Sequence, residues 1–247
     1  MVASTKTTTM TLNADVGELR ERVLSGDEDT LIALLDDANI ACGGHAGDDD
    51  TMVLTLERCR QHGVRVGAHP SYPDVAGFGR TRLLMEPALL RASLSEQVLR
   101  LCRHAASVDV PVAFIKPHGA LYHAIGDDDD SADLMATVMA NVVDDVAAVI
   151  GRRLPLVLFW QARNRGRLQA RGLVLMREAF ADRGTDDDGW LLPRGLPGAV
   201  LGVDAAAAVA RTLAARSDID TVCIHGDGPD ATAVARAVRD ALGPHSS

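Results

Sequence analysis

Short apolar runs alternate with longer amphipathic stretches along the whole chain. Strand-like runs fall near residues 9–13, 39–41, 64–69, 112–116, 156–159, 173–179 and 221–225. Between them the spacing predicts helices near 28–36, 51–62, 86–107, 131–150, 161–171 and 205–216, with a last helix over 230–242. Strands alternating with helices imply a mainly parallel sheet joined by right-handed crossovers. No repeat or low-complexity linker interrupts the pattern. One domain is therefore expected over residues 1–247, with residues 1–8 as a disordered tail.

Seven strands could form an open doubly wound sheet or a closed barrel, and the polar positions decide between them. Almost every strand runs apolar and then ends in polar residues: Asn13 and Asp15, His45, His69, Lys116 and His118, Glu178, His225 and Asp227. An open sheet gathers such groups at one switch point, whereas a barrel collects them from many strand ends at its mouth. The expectation is a seven-stranded (β/α) barrel. Residues two apart on a strand share a face. Asn13/Asp15, His69/Ser71, Lys116/His118 and His225/Asp227 are such pairs, and each is expected to project into one small polar cavity rimmed by Gly43, Gly44 and Gly77.

Composition narrows the chemistry. The 247 residues carry 34 acidic and 25 basic side chains, a formal charge of −9, which argues against nucleic-acid binding. No apolar run approaches the ~20 residues that span a bilayer, and the polar N-terminus has no signal-peptide core. Four scattered cysteines without a CxxC pair read as reduced thiols, so the cytoplasm is the expected compartment. Of the 25 basic residues only Lys6 and Lys116 are lysines. A chain that uses arginine everywhere else yet keeps Lys116 beside His118 points to a need for a compact ammonium. The aspartate runs at 48–50, 127–130 and 186–188 read as loop tips and helix N-termini.

The sequence has no GxxxxGK[ST] loop, no strand-linked GxGxxG, no HExxH and no GxSxG elbow, so a P-loop ATPase, a dinucleotide enzyme, a zincin and a serine hydrolase are all disfavoured. The blocks LNADVGE (12–18), ANIACGGHAGD (38–48), GAHPSYPDVAGFGR (67–80), KPHGALY (116–122), EAFADR (178–183), PRGLPGA (193–199) and IHGD (224–227) occur in order over nearly the whole chain. Together they closely resemble the LamB/YcsF family. Three positions depart from its pattern: Ala14 for Cys, Gly44 for Phe and Asp49 for Pro.

The resemblance implies a seven-stranded barrel related to sugar deacetylases. It also implies the activity of a 5-oxoprolinase A component: conversion of 5-oxo-L-proline to L-glutamate with B and C partner subunits, at the expense of ATP consumed by the complex. Opening a stable lactam in this way implies phosphorylation of the amide oxygen and attack by water. Such a site needs a cation, a base and a carboxylate anchor. Lys116 is the candidate cation, and His118 the proton carrier. Asp15 and Asp227 are expected to orient histidines, and His69 and His225 complete the catalytic set. Asn13, His45, Glu178 and Arg183 are the candidate substrate ligands, with the planar fork of Arg183 as carboxylate anchor. Asp15, His45 and His118 could instead hold a divalent metal. Two other readings stay open: a metal-dependent deacetylase or amidohydrolase acting alone, and a non-catalytic lactam-binding protein of the complex.

Overall fold

The computed structural model describes residues 10–127 and 130–243, so the expected tail at residues 1–8 lies outside the described residues. Along the chain come β1 (Thr11–Val16), α1 (Arg20–Ser25), α2 (Asp29–Ile32), β2 (Asp37–Ala41), α3 (Asp49–His62), β3 (Arg65–His69), α4 (Pro87–Ser107) and β4 (Val112–Ile115). There follow α5 (Gly119–Gly126), α6 (Ala132–Ile150), β5 (Leu156–Phe159), α7 (Arg165–Ala170), β6 (Leu175–Phe180), α8 (Val203–Ala214), β7 (Thr221–Ile224) and α9 (Ala231–Leu242). The seven strands pair in chain order, all parallel, and β1 closes on β7.

Alternation along the strands makes two different environments. Leu12 and Ala14 of β1, Val66 and Ala68 of β3, and Val222 and Ile224 of β7 face outward into the main apolar core, where the helices cover them. Fully burying one such leucine or isoleucine contributes roughly 1.5–3 kcal/mol. The residues between them, Asn13, Asp15 and Cys223 among others, face the barrel interior. The inward set is therefore polar on several strands, as the two-residue spacing predicts.

Local signals set the long helices. Asp48 caps α3, accepting from the Thr51 N–H at 2.9 Å while the Thr51 hydroxyl accepts from the Asp48 N–H at 2.8 Å, a reciprocal capping box. Pro87 opens α4, where its missing N–H costs nothing. The short elements depart from expectation. The helix expected over 28–36 is only the four residues of α2, because β2 begins at Asp37. The six-residue α1 and eight-residue α5 add to the expected set; neither is long enough to build a clear helical period.

The end of the barrel where the strands begin is closed by paired charges. Arg65 meets Asp37 through two bonds of 2.7 and 2.8 Å, and Arg177 meets Asp220 in the same way. The opposite end carries the site.

Candidate active site at the barrel mouth

Lys116, one residue past β4, points inward and is 2% exposed. Its ammonium donates to Asn13 Oδ1 and Asp15 Oδ1, both at 3.1 Å, and to Cys223 Sγ at 2.9 Å. Glu178 Oε1 lies 3.0 Å away as an ionic neighbour, while Glu178 Oε2 accepts from the Tyr122 hydroxyl at 2.8 Å. Asn39 Nδ2 reinforces the group by donating to Asn13 Oδ1 and Asp15 Oδ1. Burial opposes the charge on Lys116, but Asp15, Cys223 and Glu178 raise its pKa well above the usual lysine range. Burial likewise opposes the charge on Asp15, and His69 and Lys116 overcome it, holding that carboxylate well below its usual range. The expected pairing of Asn13 with Asp15 on one face holds. All three ammonium hydrogens are already matched, so Lys116 reaches a substrate only by releasing a partner.

Above this hub, His69 at the end of β3, His118 at the start of α5, His45 from the loop after β2 and Glu18 from the loop after β1 converge. Each offers one ligand atom, and these atoms all lie within 4.8 Å of one another. The His69 Nδ1–H donates to the Lys116 carbonyl at 2.7 Å, and the His118 Nε2–H donates to the Phe78 carbonyl at 3.0 Å. Backbone acceptors thus fix both rings so that His69 Nε2 and His118 Nδ1 face each other, 3.0 Å apart. Two ring nitrogens whose partner nitrogens hold the protons repel at that distance. A proton shared between the two nitrogens or a bound cation relieves the contact. His45 stacks on His118 at 3.7 Å and contacts Glu18 Oε1 through Nε2 at 2.9 Å. Its Nδ1 is buried with no hydrogen-bond partner. Burial, then the neighbouring His69, lowers His45 to about 3. Burial with His69 and His45 lowers His118 to about 2. Both rings are neutral near pH 7, the form that ligates metals. Burial, then Asp15, raises Glu18 to about 7.

The donors that could hold a metal differ from the expected set: His45 and His118 are among them with Glu18 and His69, whereas Asp15 is not, its Oδ2 lying 3.4 Å from His69 Nε2. Glu18 escapes the two-residue rule because Gly17 takes a left-handed φ of +74°. That turn breaks the in–out alternation after Asp15 and swings Glu18 back over the mouth.

On the other side of the cavity stands His225, one residue past β7, stacked on Phe180 with centroids 5.6 Å apart. Asp182, not Asp227, orients it. Asp182 Oδ2 accepts from both the His225 backbone N–H and Nδ1–H at 2.8 Å, which leaves Nε2 as the proton-accepting nitrogen. Burial opposes the Asp182 charge, and His225 overcomes it to hold the carboxylate below its usual range. Asp227 turns instead to the rim, where its Oδ2 lies 2.9 Å from Arg80 and 3.6 Å from Arg194. Arg183, the expected carboxylate anchor, lines the cavity but gives two of its donors to backbone carbonyls. Its Nε donates to the Ala199 carbonyl at 2.9 Å and its Nη2 to the Leu192 carbonyl, holding together the loop that carries Arg194.

The cavity has a volume of about 730 Å³, larger than the small pocket expected. Asp15, His69, Lys116, His118, His225 and Asp227 all line it, as convergent strand ends require. His45, Asn13 and Glu178 stand behind that lining. Ser71 does not join His69: its N–H and carbonyl are both held by Gln97, and its hydroxyl donates to the Tyr72 carbonyl. The glycines at the lining are Gly119 and Gly226, in place of Gly43, Gly44 and Gly77. At Gly44 a Cβ would run into Gln97 and Ser71, so that Gln97 fills the space where the family pattern carries a phenylalanine.

Among the described residues no helix is long and apolar enough to cross a membrane. A relative from Chloroflexus aggregans, named as the A subunit of 5-oxoprolinase, is 39% identical over 245 residues, covering 94% of each chain. One of the same name from Pyrococcus abyssi is 34% identical over 245 residues, covering 94% of this chain and 92% of its own. The crystal structure of a lactam utilization protein from Thermus thermophilus superposes with a TM-score of 0.82 at 32% identity, covering 95% of this chain and 96% of that one. The LamB/YcsF family description fits residues 10–246, which include every strand of the barrel, and the chain belongs to that family.

Proposed function

We propose that this chain is the lactam-opening A component of an ATP-dependent 5-oxoprolinase, converting 5-oxo-L-proline to L-glutamate with B and C partner subunits. The observation that carries the reading is the pairing of a proton-transfer dyad, Asp182–His225, with a cluster of four metal-type donors across one cavity. Relatives named as the A subunit of 5-oxoprolinase, matched over nearly their full length, supply the substrate. ATP consumed by the complex would activate the amide carbon by phosphorylating its oxygen. His225 Nε2, left unprotonated by Asp182, then takes a proton from the attacking water. The same imidazolium returns it to the ring nitrogen as the C–N bond breaks, which leaves an acyl phosphate on the side-chain carbon; a second water then cleaves that to glutamate and inorganic phosphate. Lys116 and Asp15 fix the charge of the cavity floor beneath these events.

Three imidazoles and one carboxylate are a donor set suited to a divalent transition ion, and the facing nitrogens of His69 and His118 are arranged for one. Glu18, His45, His69 and His118 would hold it. Such an ion supplies Lewis-acid polarisation of an oxygen.

The test is turnover by the chain alone and with its partners. The expected result is glutamate only when partners and ATP are both present. Robust ATP-dependent opening by the isolated chain would remove the need for partners. The donor cluster favours one second reading, a metal-dependent amidohydrolase acting alone, and lactam opening with zinc but without ATP would select it. Full turnover by a complex carrying His225→Ala would reduce this chain to a non-catalytic binding protein.

A further inference from the structure

The cavity is larger than a five-membered lactam acid needs, and Arg80 and Arg194 are part of its lining. Arg80 and Arg194 come from loops far apart in the sequence, after β3 and after β6, yet both guanidinium groups converge on one oxygen, Asp227 Oδ2. Each is positioned by more than that carboxylate. The Arg80 guanidinium lies over the Phe78 ring at 5.0 Å. Arg194 rides on the loop that Arg183 clamps through the Ala199 and Leu192 carbonyls. In a chain of net charge −9, two arginines aimed at one point of the catalytic cavity are a local reversal of sign. Planar guanidinium forks match phosphate oxygens, and the Asp227 carboxylate occupies the place such an oxygen would take.

We infer that Arg80 and Arg194 form an anion subsite for the phosphoryl group of an activated acid, with Asp227 as the internal carboxylate that the phosphoryl group displaces. The inference rests on the proposed lactam-opening reading and deepens it: the species the cavity accepts is a phosphorylated acid rather than the bare lactam. The inner half of the cavity, with Lys116, His118 and His225, takes the ring, and the rim takes the phosphoryl group. Asp227 keeps the two arginines together while the site is empty of anions and yields to a doubly charged competitor.

The experiment is calorimetric titration of the chelator-treated full chain with inorganic phosphate, so that no ion in the histidine cluster contributes. Saturable binding is expected, weakened about tenfold or more by Arg80→Ala and by Arg194→Ala, each of which removes a charge-assisted hydrogen bond. Asp227→Asn is expected to tighten binding several-fold, because the competing charge is gone; a purely structural Asp227 would loosen it. ATP is titrated in parallel. Tight ATP binding lost in both arginine variants would assign the phosphoryl group to a nucleotide and still support the subsite. Absence of saturable phosphate binding, or binding indifferent to both arginines, overturns it. In the reconstituted complex, both arginine variants should consume ATP while forming less glutamate. Normal glutamate yield in both variants sinks the subsite and leaves the lactam-opening reading standing. No lactam opening by the wild-type complex sinks that reading, and the phosphate titration still decides the subsite.

Discussion

Two buried polar groups share this barrel, and they are built on opposite principles. Around Lys116 the close contacts run from donor to acceptor or from cation to anion: ammonium to Asn13, Asp15, Cys223 and Glu178, amide to carboxylate, phenol to carboxylate. Between His69 and His118 the contact sets one acceptor against another at 3.0 Å. The first arrangement lowers its own energy and needs nothing from outside. The second is held in place by the Lys116 and Phe78 carbonyls against its own repulsion, and is relieved by a proton or a cation. Burial is therefore a poor guide to function in this molecule. The sense of the contacts, complementary or opposed, separates framework from ligand site.

The largest expected effect lies on the complementary side. Lys116→Ala strips the cation from two buried carboxylates, Asp15 and Glu178, and should cost about 3–5 kcal/mol of stability. Lys116→Arg should be nearly as damaging to turnover, because a rigid fork cannot meet acceptors gathered around a single nitrogen. His118→Ala, which deletes a repulsive contact, should destabilise the metal-free protein less than Lys116→Ala does. Thermal melts of the three variants check this. Equal losses at Lys116 and His118 would erase the distinction between the two groups, and near-normal turnover with Lys116→Arg would make that position an ordinary charge.

A somewhat smaller effect probes the opposed side. If a cation relieves the facing nitrogens, zinc at about a hundred times its dissociation constant should stabilise chelator-treated protein by about 2.7 kcal/mol. His69→Ala and Glu18→Gln should each abolish most of that shift. Metal titration followed by differential scanning calorimetry measures it. An unchanged melting temperature across the titration would mean that no cation relieves the contact.

The same contrast explains how much is legible in the sequence. Seven strands, their order and the gathering of Asp15, His69, Lys116, His118, His225 and Asp227 at one cavity follow from alternation and strand ends. These are properties of regular strands, which period-two reasoning reaches. Glu18 is hidden because Gly17 resets the period through a left-handed turn. Asp182 is within reach: residues 178, 180 and 182 continue one face of β6, and the spacing selects Asp182. The shape of its guanidinium favours Arg183 as an anchor, but two of its donors go to backbone carbonyls of its own loop. The role expected of Asp227 fails for a different reason. Which carboxylate a histidine meets is a matter of loop path, and two neighbouring strand ends offer one each.

The dyad itself falls between the two extremes, complementary inside and open outside, and it carries the smallest of these expected effects. Asp182 gives His225 two acceptors on one side and leaves Nε2 to the cavity. Asp182→Asn keeps the volume and one acceptor oxygen, so the backbone N–H of His225 remains satisfied and stability should hardly change. The amide nitrogen, however, presents hydrogens where the ring also presents one. The imidazole then avoids the clash by moving its proton to Nε2, and the nitrogen facing the cavity can no longer accept a proton from water. Turnover by the reconstituted complex should fall about tenfold or more, equivalent to at least about 1.4 kcal/mol in the barrier, with KM little altered. Against burial, His225 holds the Asp182 carboxylate below its usual range, so removing that anion should move the acid limb of the rate profile to lower pH. A merely structural Asp182 would lower stability without moving that limb. Asp182→Glu, which restores the charge with a longer arm, should recover part of the profile even where it does not recover the rate. An Asp182→Asn complex with wild-type turnover and an unmoved acid limb would take His225 out of proton transfer and leave that role to the other side of the cavity.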